Sequence, residues 1–406
     1  MTADLVHVSN ALTARWAWEA CDGTTTAFSG AGAWPLLAFL AAAAREPGRG
    51  ELQRAIGIDA TDAERRGREL LGIFSAATAA KAALGVWTRH GLPVEQWWHD
   101  AVPDAARGEL TGDPAADRSR LDEWVRRNTA DRLTSMPVQL REDTALVLAT
   151  ALSIDTRWRD PFEDFPFTPQ SGPWARKGGR PLAGLSLRTP DIDRLAIAET
   201  PTGRIILLTV HGVDDVDVML CLGPPRSPAG EVLAHAMAAA DGQHRLHRGA
   251  EVLKGSLARK TPGLNVTAVS SFDERTMLDV ATVRFDITAE HDLLARPEVF
   301  GLETVSTYDP RGHLPGISSA PLGVGQAVQD VTATFTAEGF RAAAVTAMAM
   351  DLMGVPMGEA RVLNVRFDRP FGFFARHRPS GLALLAGWIA EPQDWPDDRS
   401  TIPMPF

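Results

Sequence analysis

The chain has 406 residues, of which 45% are hydrophobic and 23% charged, and its formal net charge is −10 at pH 7. This is the composition of a soluble globular protein, and an acidic chain has no electrostatic reason to bind nucleic acid or an anionic membrane. The two cysteines, Cys21 and Cys221, exclude a disulfide framework and argue against a cysteine-based metal site.

The N-terminal residues predict no secretory signal, because residues 1–20 carry Asp4 and His7 and contain no apolar core run. We therefore expect a cytoplasmic protein, or an extracellular one if it is exported by another route. The most apolar run, residues 34–44, is too short to span a bilayer and predicts a buried helix.

Helices are predicted mainly in the first third of the chain and strands in the rest. Residues 118–133 form an amphipathic pattern, and residues 144–154 are apolar almost throughout, which is typical of a strand buried on both faces. Further helices are predicted at residues 11–20, 34–44, 51–56 and 230–240, and strands at 24–29, 82–88, 204–210, 216–221, 266–287 (two), 328–336, 362–367, 372–376 and 382–389. This order indicates an α+β fold. The Pro- and Asp-rich residues 393–406 predict a disordered tail.

Residues 337–353 fit two conformations. With a period of two, every residue on the face that begins at Phe340 is uncharged, whereas Arg341 and Asp351 both fall on the other face, as in a strand with one buried side. The run Ala342-Ala343-Ala344 also favours a helix, and a helix is the favoured interpretation on periodicity alone.

The sequence shows no catalytic signature of the common kinds. It has no Gly-x-Ser-x-Gly, no His-Glu-x-x-His, no Walker loop and no Cys-x-x-Cys. His244 and His247 lie among basic residues, which predicts a solvated basic face rather than a metal site. We therefore expect neither an enzyme nor a bound cofactor or metal.

Seven motifs in sequence order resemble landmarks of the serpin family, in its bacterial type, over about residues 10–392. The motifs are Leu121–Thr129, Leu146–Leu152 with Trp158 and Pro161-Phe162, Phe285-Asp286-Ile287 with His291-Asp292-Leu293, Phe300-Gly301-Leu302 with Gly316-Ile317-Ser318, Glu338-Gly339 with Ala342-Ala343-Ala344 and Thr346, Phe367-Asp368-Arg369-Pro370-Phe371, and Gly381 with Leu384, Gly387 and Pro392. The resemblance implies one serpin domain over residues 1–392, with three β-sheets, a large central sheet, eight or nine helices and an exposed reactive-centre loop.

The resemblance also implies a function. In inhibitory serpins a protease cleaves a bait bond in this loop, and the cleaved loop then inserts as a new strand into the central sheet while the protease is still acylated. The hinge of the loop would comprise Glu338, Gly339, Phe340, Ala342, Ala343, Ala344 and Thr346. The expected partner is a serine protease, and the expected state of the protein is a monomer.

The family's usual spacing from Gly339 places the bait bond at Met353-Gly354. Leu352-Met353 and Met357-Gly358 stay open as alternatives, and Arg361 is disfavoured because the loop has by then turned towards the next strand. An unbranched apolar Met suits a chymotrypsin-, elastase- or subtilisin-like protease.

Two departures from the family pattern bear on mechanism. Phe340 stands where inhibitory members have a small Thr or Ser, so a bulky ring has to enter the sheet first, and Arg341 stands where an acid is usual. The polar cluster expected to gate sheet opening, below the breach at Trp158, is rewired: Ser29 matches the family, whereas Gly32, Thr150 and Gln329 replace a Ser, an Asn and a His. If the ring of Phe340 impairs insertion, the alternative is a non-inhibitory serpin-fold binding or chaperone-like protein.

Overall fold

The computed structural model describes residues 2–396, apart from 130, 132–133, 137, 143, 176–177, 255, 272–273 and 341–357. Nine α-helices occur within these ranges: α1 Thr2–Ala20, α2 Gly30–Ala43, α3 Gly48–Ile56, α4 Ala60–Ala76, α5 Gln96–Ala101, α6 Pro114–Thr129, α7 Ala229–Ala240, α8 Gly249–Lys254 and α9 Pro297–Phe300.

The strands, in chain order, are β1 Thr26–Phe28, β2 Ala80–Arg89, β3 Arg107–Leu110, β4 Leu146–Ile154, β5 Thr156–Arg157, β6 Glu163–Phe167, β7 Leu182–Thr189, β8 Leu195–Thr200, β9 Gly203–His211, β10 Val216–Leu222, β11 Arg245–Arg248, β12 Leu264–Ser271, β13 Met277–Val283, β14 Phe285–Asp292, β15 Gln326–Phe335, β16 Gly339–Phe340, β17 Gly358–Arg366, β18 Phe371–His377 and β19 Ala383–Ile389.

The strands form three sheets. The central sheet has the order β3-β2-β4-β15-β16-β5, with β14 also paired to β15. The second sheet has the order β1-β19-β18-β10-β9-β8-β11, and the third has the order β12-β17-β13-β7-β6. Three sheets with helices packed against them confirm the predicted α+β class.

Helix α2 lies at the centre of the molecule because its sequence is apolar on every side. Thirteen of its residues are buried, and it contacts α1, α3, α4, β4 and β19. Ser29 begins the helix, since its hydroxyl oxygen accepts a hydrogen bond from the N–H of Gly32 (2.9 Å). The buried helix predicted at residues 34–44 is present and extends back to Gly30.

Strands β4 and β15 run parallel in the middle of the central sheet, from the pair Val147–Gln326 to the pair Leu152–Val331. All nine residues of β4 are buried, as the apolar run predicted. One face of the sheet packs on the main core with α2, and the other packs against Leu121, Trp124 and Val125 of α6. We call the end of the sheet near Phe335 its upper end, the end near Gln326 its lower end, and the line between β4 and β15 the slot.

The amphipathic helix predicted at residues 118–133 begins earlier and ends earlier than expected, as α6. The carboxylate of Asp113 accepts a hydrogen bond from the N–H of Ala115 (2.9 Å), and Pro114 occupies the first helical position, which proline favours.

Residues that follow the predicted domain boundary at 392 pair with β7. The carbonyl of Gln393 accepts a hydrogen bond from Ala183 (2.8 Å), and the N–H of Trp395 donates to the carbonyl of Pro181 (2.8 Å). The rest of the predicted disordered tail, residues 397–406, lies outside the described residues.

Candidate functional site

The upper end of the slot is occupied by the chain itself. After β15 the backbone turns at Thr336, whose N–H donates to the carbonyl of Gly339 (2.9 Å), and returns as β16. Phe340 then lies opposite Phe335 of β15 on one side and opposite Thr156 of β5 on the other. Gly339 and Phe340, two of the predicted hinge residues, therefore already form a short strand between the two walls of the slot.

Gly339 suits this position because there is no room for a side chain. A Cβ atom at residue 339 would lie 2.4 Å from the carbonyl oxygen of Thr156. Any other residue would have to push β5 away from β16. The close approach of the two backbones thus explains why the predicted hinge has glycine at position 339.

Phe340 is 1% exposed and belongs to an aromatic group at the upper end of the slot. Its ring centroid lies 6.4 Å from that of Trp158 and 6.3 Å from that of Phe373. Trp158 in turn fixes the turn before β16, because its indole N–H donates to the carbonyl of Thr336 (2.9 Å) and its backbone N–H donates to the carbonyl of Glu338 (2.8 Å). The family resemblance predicts that this ring enters the sheet during insertion, whereas in the structure the ring already lies between β15 and β5.

Strand β16 shares the register of the strands below it. Phe335 and Thr156, which flank Phe340, differ by 179 positions, and so do Gln326 and Val147 in the β4–β15 pair. A strand that continued downward from Phe340 would therefore meet both walls without a register shift.

The predicted polar cluster is assembled halfway down the slot. The side-chain oxygen of Gln329 accepts a hydrogen bond from the N–H of Ser29 (2.7 Å), and its amide nitrogen donates to the Ser29 carbonyl (2.9 Å) and to the Thr150 hydroxyl (3.1 Å). The hydroxyl of Ser29 donates to the carbonyl of Leu384 (2.5 Å). Gln329 thereby ties both walls of the slot to the start of α2.

Gly32 takes part in this cluster by leaving space for it. A Cβ atom at residue 32 would lie 3.1 Å from the Ser29 hydroxyl and 3.4 Å from the Gln329 amide nitrogen. A Cβ atom there would be in tight contact with the Ser29 hydroxyl, so glycine leaves room for the hydrogen bonds of that hydroxyl with Gly32 and Leu384.

Asp330, which no sequence motif indicates, is a buried acid in the wall of the slot. It is 3% exposed, lies opposite Ala151 on β4 and Glu290 on β14, and its Oδ1 atom has no hydrogen-bond partner in the described part of the chain. Burial and the charge of Glu290 raise the pKa of Asp330 from 3.8 to about 7. Its sequence signal is a single acid within the β-rich run 328–336, which by itself predicts a solvent-facing residue.

The predicted bait bond at Met353-Gly354, its alternative at Leu352-Met353 and the hinge residues Ala342, Ala343, Ala344 and Thr346 lie outside the described residues. Two other predicted positions can be placed at the end of that segment. Gly358, half of the Met357-Gly358 alternative, is the first residue of β17, and Arg361 is paired within β17 with Ala268.

The described residues contain no group of three or more His, Cys, Asp or Glu side chains that could hold a metal. His247 is nevertheless buried, with its Nδ1 atom 2.9 Å from Glu251 and its Nε2 atom 3.3 Å from Glu199, so the predicted solvated face is wrong for this residue. No helix in the described ranges is long and apolar enough to cross a bilayer.

A family model described as Serpin (serine protease inhibitor) matches residues 10–171 and 253–392. The chain therefore belongs to the serpin family. An uncharacterized serpin-like protein of Methanosarcina acetivorans is 23% identical over 321 residues, which cover 77% of this chain and 68% of that protein.

Solved serpin structures share the fold over nearly the whole chain. Protease nexin-1, crystallised with heparin, is 16% identical with a TM-score of 0.68, covering 97% of this chain and 100% of its own. Serpin48 of the insect Tenebrio molitor is 16% identical with a TM-score of 0.68, covering 95% and 97%. Human thyroxine-binding globulin with bound ligand is 14% identical with a TM-score of 0.69, covering 97% and 100%.

Serpins are in general protease inhibitors rather than enzymes. Family and fold together support a serpin-type protease inhibitor as the general class of this protein.

Proposed function

We propose that this protein inhibits a serine protease as a suicide substrate, by inserting its cleaved loop into the slot. The observation that carries the proposal is the position of β16: Phe340 is already paired with both β15 and β5 in the register of the sheet, and Gly339 is paired with β5. The first step of insertion is therefore complete before cleavage, and the ring of Phe340 is a seated residue rather than an obstacle.

The catalytic groups of the protease carry out every chemical step that precedes the movement of the loop. Its serine oxygen attacks the carbonyl carbon of Met353, the bond to the nitrogen of Gly354 breaks, and the new amine leaves with the proton passed on by the protease histidine. Met353 is then held as an ester on the protease. Hydrolysis of that ester would release the protease, so inhibition requires insertion to be faster than deacylation.

The register of β16, continued down the slot, predicts which residues of β15 and β4 each inserted residue would lie between. Continuing from Phe340, Thr346 would lie between Thr150 and Gln329, where it adds a hydroxyl to the polar cluster. Ala342 and Ala344 would face the main core, on the same side of the sheet as Phe340 and Thr346. Their small side chains can enter between packed strands at little steric cost.

Arg341 also acquires a partner in this register. It would lie opposite Asp155, whose pKa is raised by burial and by the negative charge of Asp214. An incoming guanidinium would favour the charged form of that acid. The positive charge of Arg341, which departs from the family pattern, would therefore lie opposite an acid of the neighbouring strand.

The expected target follows from Met353. An unbranched apolar side chain fits the specificity pocket of a chymotrypsin-, elastase- or subtilisin-like protease better than a trypsin-like one. The bond Met357-Gly358 is disfavoured as bait because Gly358 is already fixed in β17.

The test is incubation of the purified protein with chymotrypsin, elastase and subtilisin, followed by denaturing gels and mass spectrometry. We expect a covalent complex whose mass is that of the protease plus residues 1–353, with residues 354–406 released as a separate peptide under denaturing conditions. Cleavage in residues 341–357 without any such complex would contradict inhibition and would favour the non-inhibitory binding or chaperone-like alternative.

A further inference from the structure

Strand β17, which begins directly after the loop, is an interior strand of the third sheet. It pairs antiparallel with β12, from Leu264–Val365 to Ser271–Gly358, and parallel with β13, from Met277–Val362 to Ala281–Arg366. Both of its edges are therefore occupied, whereas an edge strand could be peeled away by breaking a single ladder.

The two neighbours of β17 do not hold the same residues. The pairs with β13 begin at Val362, so within the described residues positions 358–361 are paired with β12 alone. The guanidinium of Arg361 also donates to the carbonyl of Leu253 in α8 (2.8 Å). Farther along, the Asn364 amide donates to the Thr267 hydroxyl (3.0 Å). Within the third sheet, the residues that follow the loop thus depend on β12 for their position.

Chain length makes this anchor important. Strand β15 has 10 residues, so the slot is roughly 30 Å long at about 3.3 Å per residue. The loop, residues 341–357, spans at most about 56–61 Å when fully extended. β13 leads directly into β14, which begins opposite Phe335, so the third sheet adjoins the upper end of the slot. An uncleaved loop would have to run down the slot and return, a path of roughly 60 Å before any lateral step, so its whole length would be used by such a path.

We propose that β12 locks the far end of the loop by holding residues 358–361 in the third sheet, so that the loop fills the slot only after cleavage. This inference rests on the proposed insertion mechanism and explains what prevents insertion before cleavage. The uncleaved chain can reach the inserted state in one other way, by pulling β17 out of its sheet. That route requires loss of the β12 ladder first.

The lock can be tested by breaking the β12 ladder at one end or the other. Successive N–H groups of an edge strand point alternately to its partner and to solvent, so two adjacent prolines remove at least one ladder donor in any register. The test variant is Val269→Pro with Ser270→Pro, opposite residues 359 and 360. The matched control is Asn265→Pro with Val266→Pro, opposite Leu363 and Asn364, which β13 also holds.

Each uncleaved protein is incubated below its unfolding temperature and sampled over time. The samples are assayed for intact mass, thermal unfolding midpoint and resistance of residues 341–357 to protease. We expect the test variant to convert to an uncleaved, protease-resistant form with a higher midpoint, at least about tenfold faster than wild type and the control. Equal conversion rates in the test variant and the control would overturn the lock.

Cleaved wild-type protein, measured in parallel, separates the two proposals. If cleavage raises the midpoint but the test variant converts no faster than the control, only the lock fails. If cleavage leaves the midpoint unchanged, the insertion mechanism and the lock fail together. Should the proline variant not fold, Val269→Gly with Ser270→Gly weakens the same end of β12 more mildly, with Asn265→Gly and Val266→Gly as its control.

Discussion

At the scale of single residues, Phe340 stabilises the uncleaved protein by filling the space between Trp158 and Phe373. Phe340→Thr should lower the free energy of unfolding by about 3 kcal/mol, because a buried ring is lost and a cavity remains. Chemical denaturation measures this change. Tyr308, which is 89% exposed, offers the matched control. Tyr308→Thr should change stability by less than about 0.5 kcal/mol, and an equally small effect at residue 340 would show that the ring is not packed as described.

Asp330 makes stability depend on pH. Its pKa is raised to about 7 by burial and by Glu290, so the folded chain retains a proton that the unfolded chain has released. Its contribution to the free energy of unfolding is therefore complete below about pH 4 and is lost as the pH rises through 7. Asp330→Asn removes this loss, and we expect the variant to be more stable than wild type at pH 8 by about 2 kcal/mol.

Denaturation curves of wild type and Asp330→Asn between pH 4 and pH 8 measure the difference. Glu290→Gln serves as the second variant, because removing its charge should move the transition of Asp330 to lower pH. Parallel stability profiles for wild type and Asp330→Asn would contradict the assignment.

At the scale of elements, Gln329 joins β15 to β4 and to the start of α2. Gln329→Leu would leave the buried N–H of Ser29 without its partner, and a buried unsatisfied donor costs about 1–3 kcal/mol. We expect a loss of stability in that range, together with faster hydrogen exchange along β4 and β15, because the two walls of the slot separate more easily.

Thr332 provides the control for this change, since it lies on the same strand, is half-buried and faces away from the cluster. Thr332→Val should leave both stability and exchange nearly unchanged. If Gln329→Leu behaves like Thr332→Val, the cluster does not hold the slot closed.

The same scale shows what sequence can predict here. The buried run of β4, the β-rich run of β15 and the apolar helix α2 follow from local periodicity, which depends only on neighbouring residues. The pairing of Gly339 and Phe340 with β5 does not, because it depends on the register between strands that are far apart in the chain. Position 330 is a similar case, since an isolated acid in a strand predicts a solvent-facing residue until α6 is known to cover that face.

At the scale of the whole molecule, the ordered motifs predict the fold. Two features that bear on the proposed insertion of the loop could not be predicted from them. One is the position of Phe340 between β15 and β5, because the residue type alone left open whether the ring fits into the sheet. The other is β12, because the sequence predicted two strands within residues 266–287 but not that they enclose β17 between them. Both features concern which strand lies beside which, and that is decided by packing rather than by composition.

Under the two proposals, the central sheet has begun to accept a strand at its upper end, and β12 prevents completion of that process while the chain is intact. The proposals require that the uncleaved state is held kinetically and that a more stable form becomes accessible when the loop is cut. The general prediction is a large rise in the thermal unfolding midpoint on cleavage within residues 341–357.

The most direct test asks whether the cleaved loop reaches the lower end of the slot in the predicted register. That register places Ala349 opposite Gln326, so Ala349→Cys with Gln326→Cys should form a disulfide after cleavage at Met353-Gly354 and not before. The control, Ala349→Cys with Ala327→Cys, is shifted by one residue and places its thiols on opposite faces of the sheet. A disulfide confined to the first pair in the cleaved protein is the result predicted. No disulfide in fully cleaved protein, or equal yields in both pairs, would contradict insertion in this register.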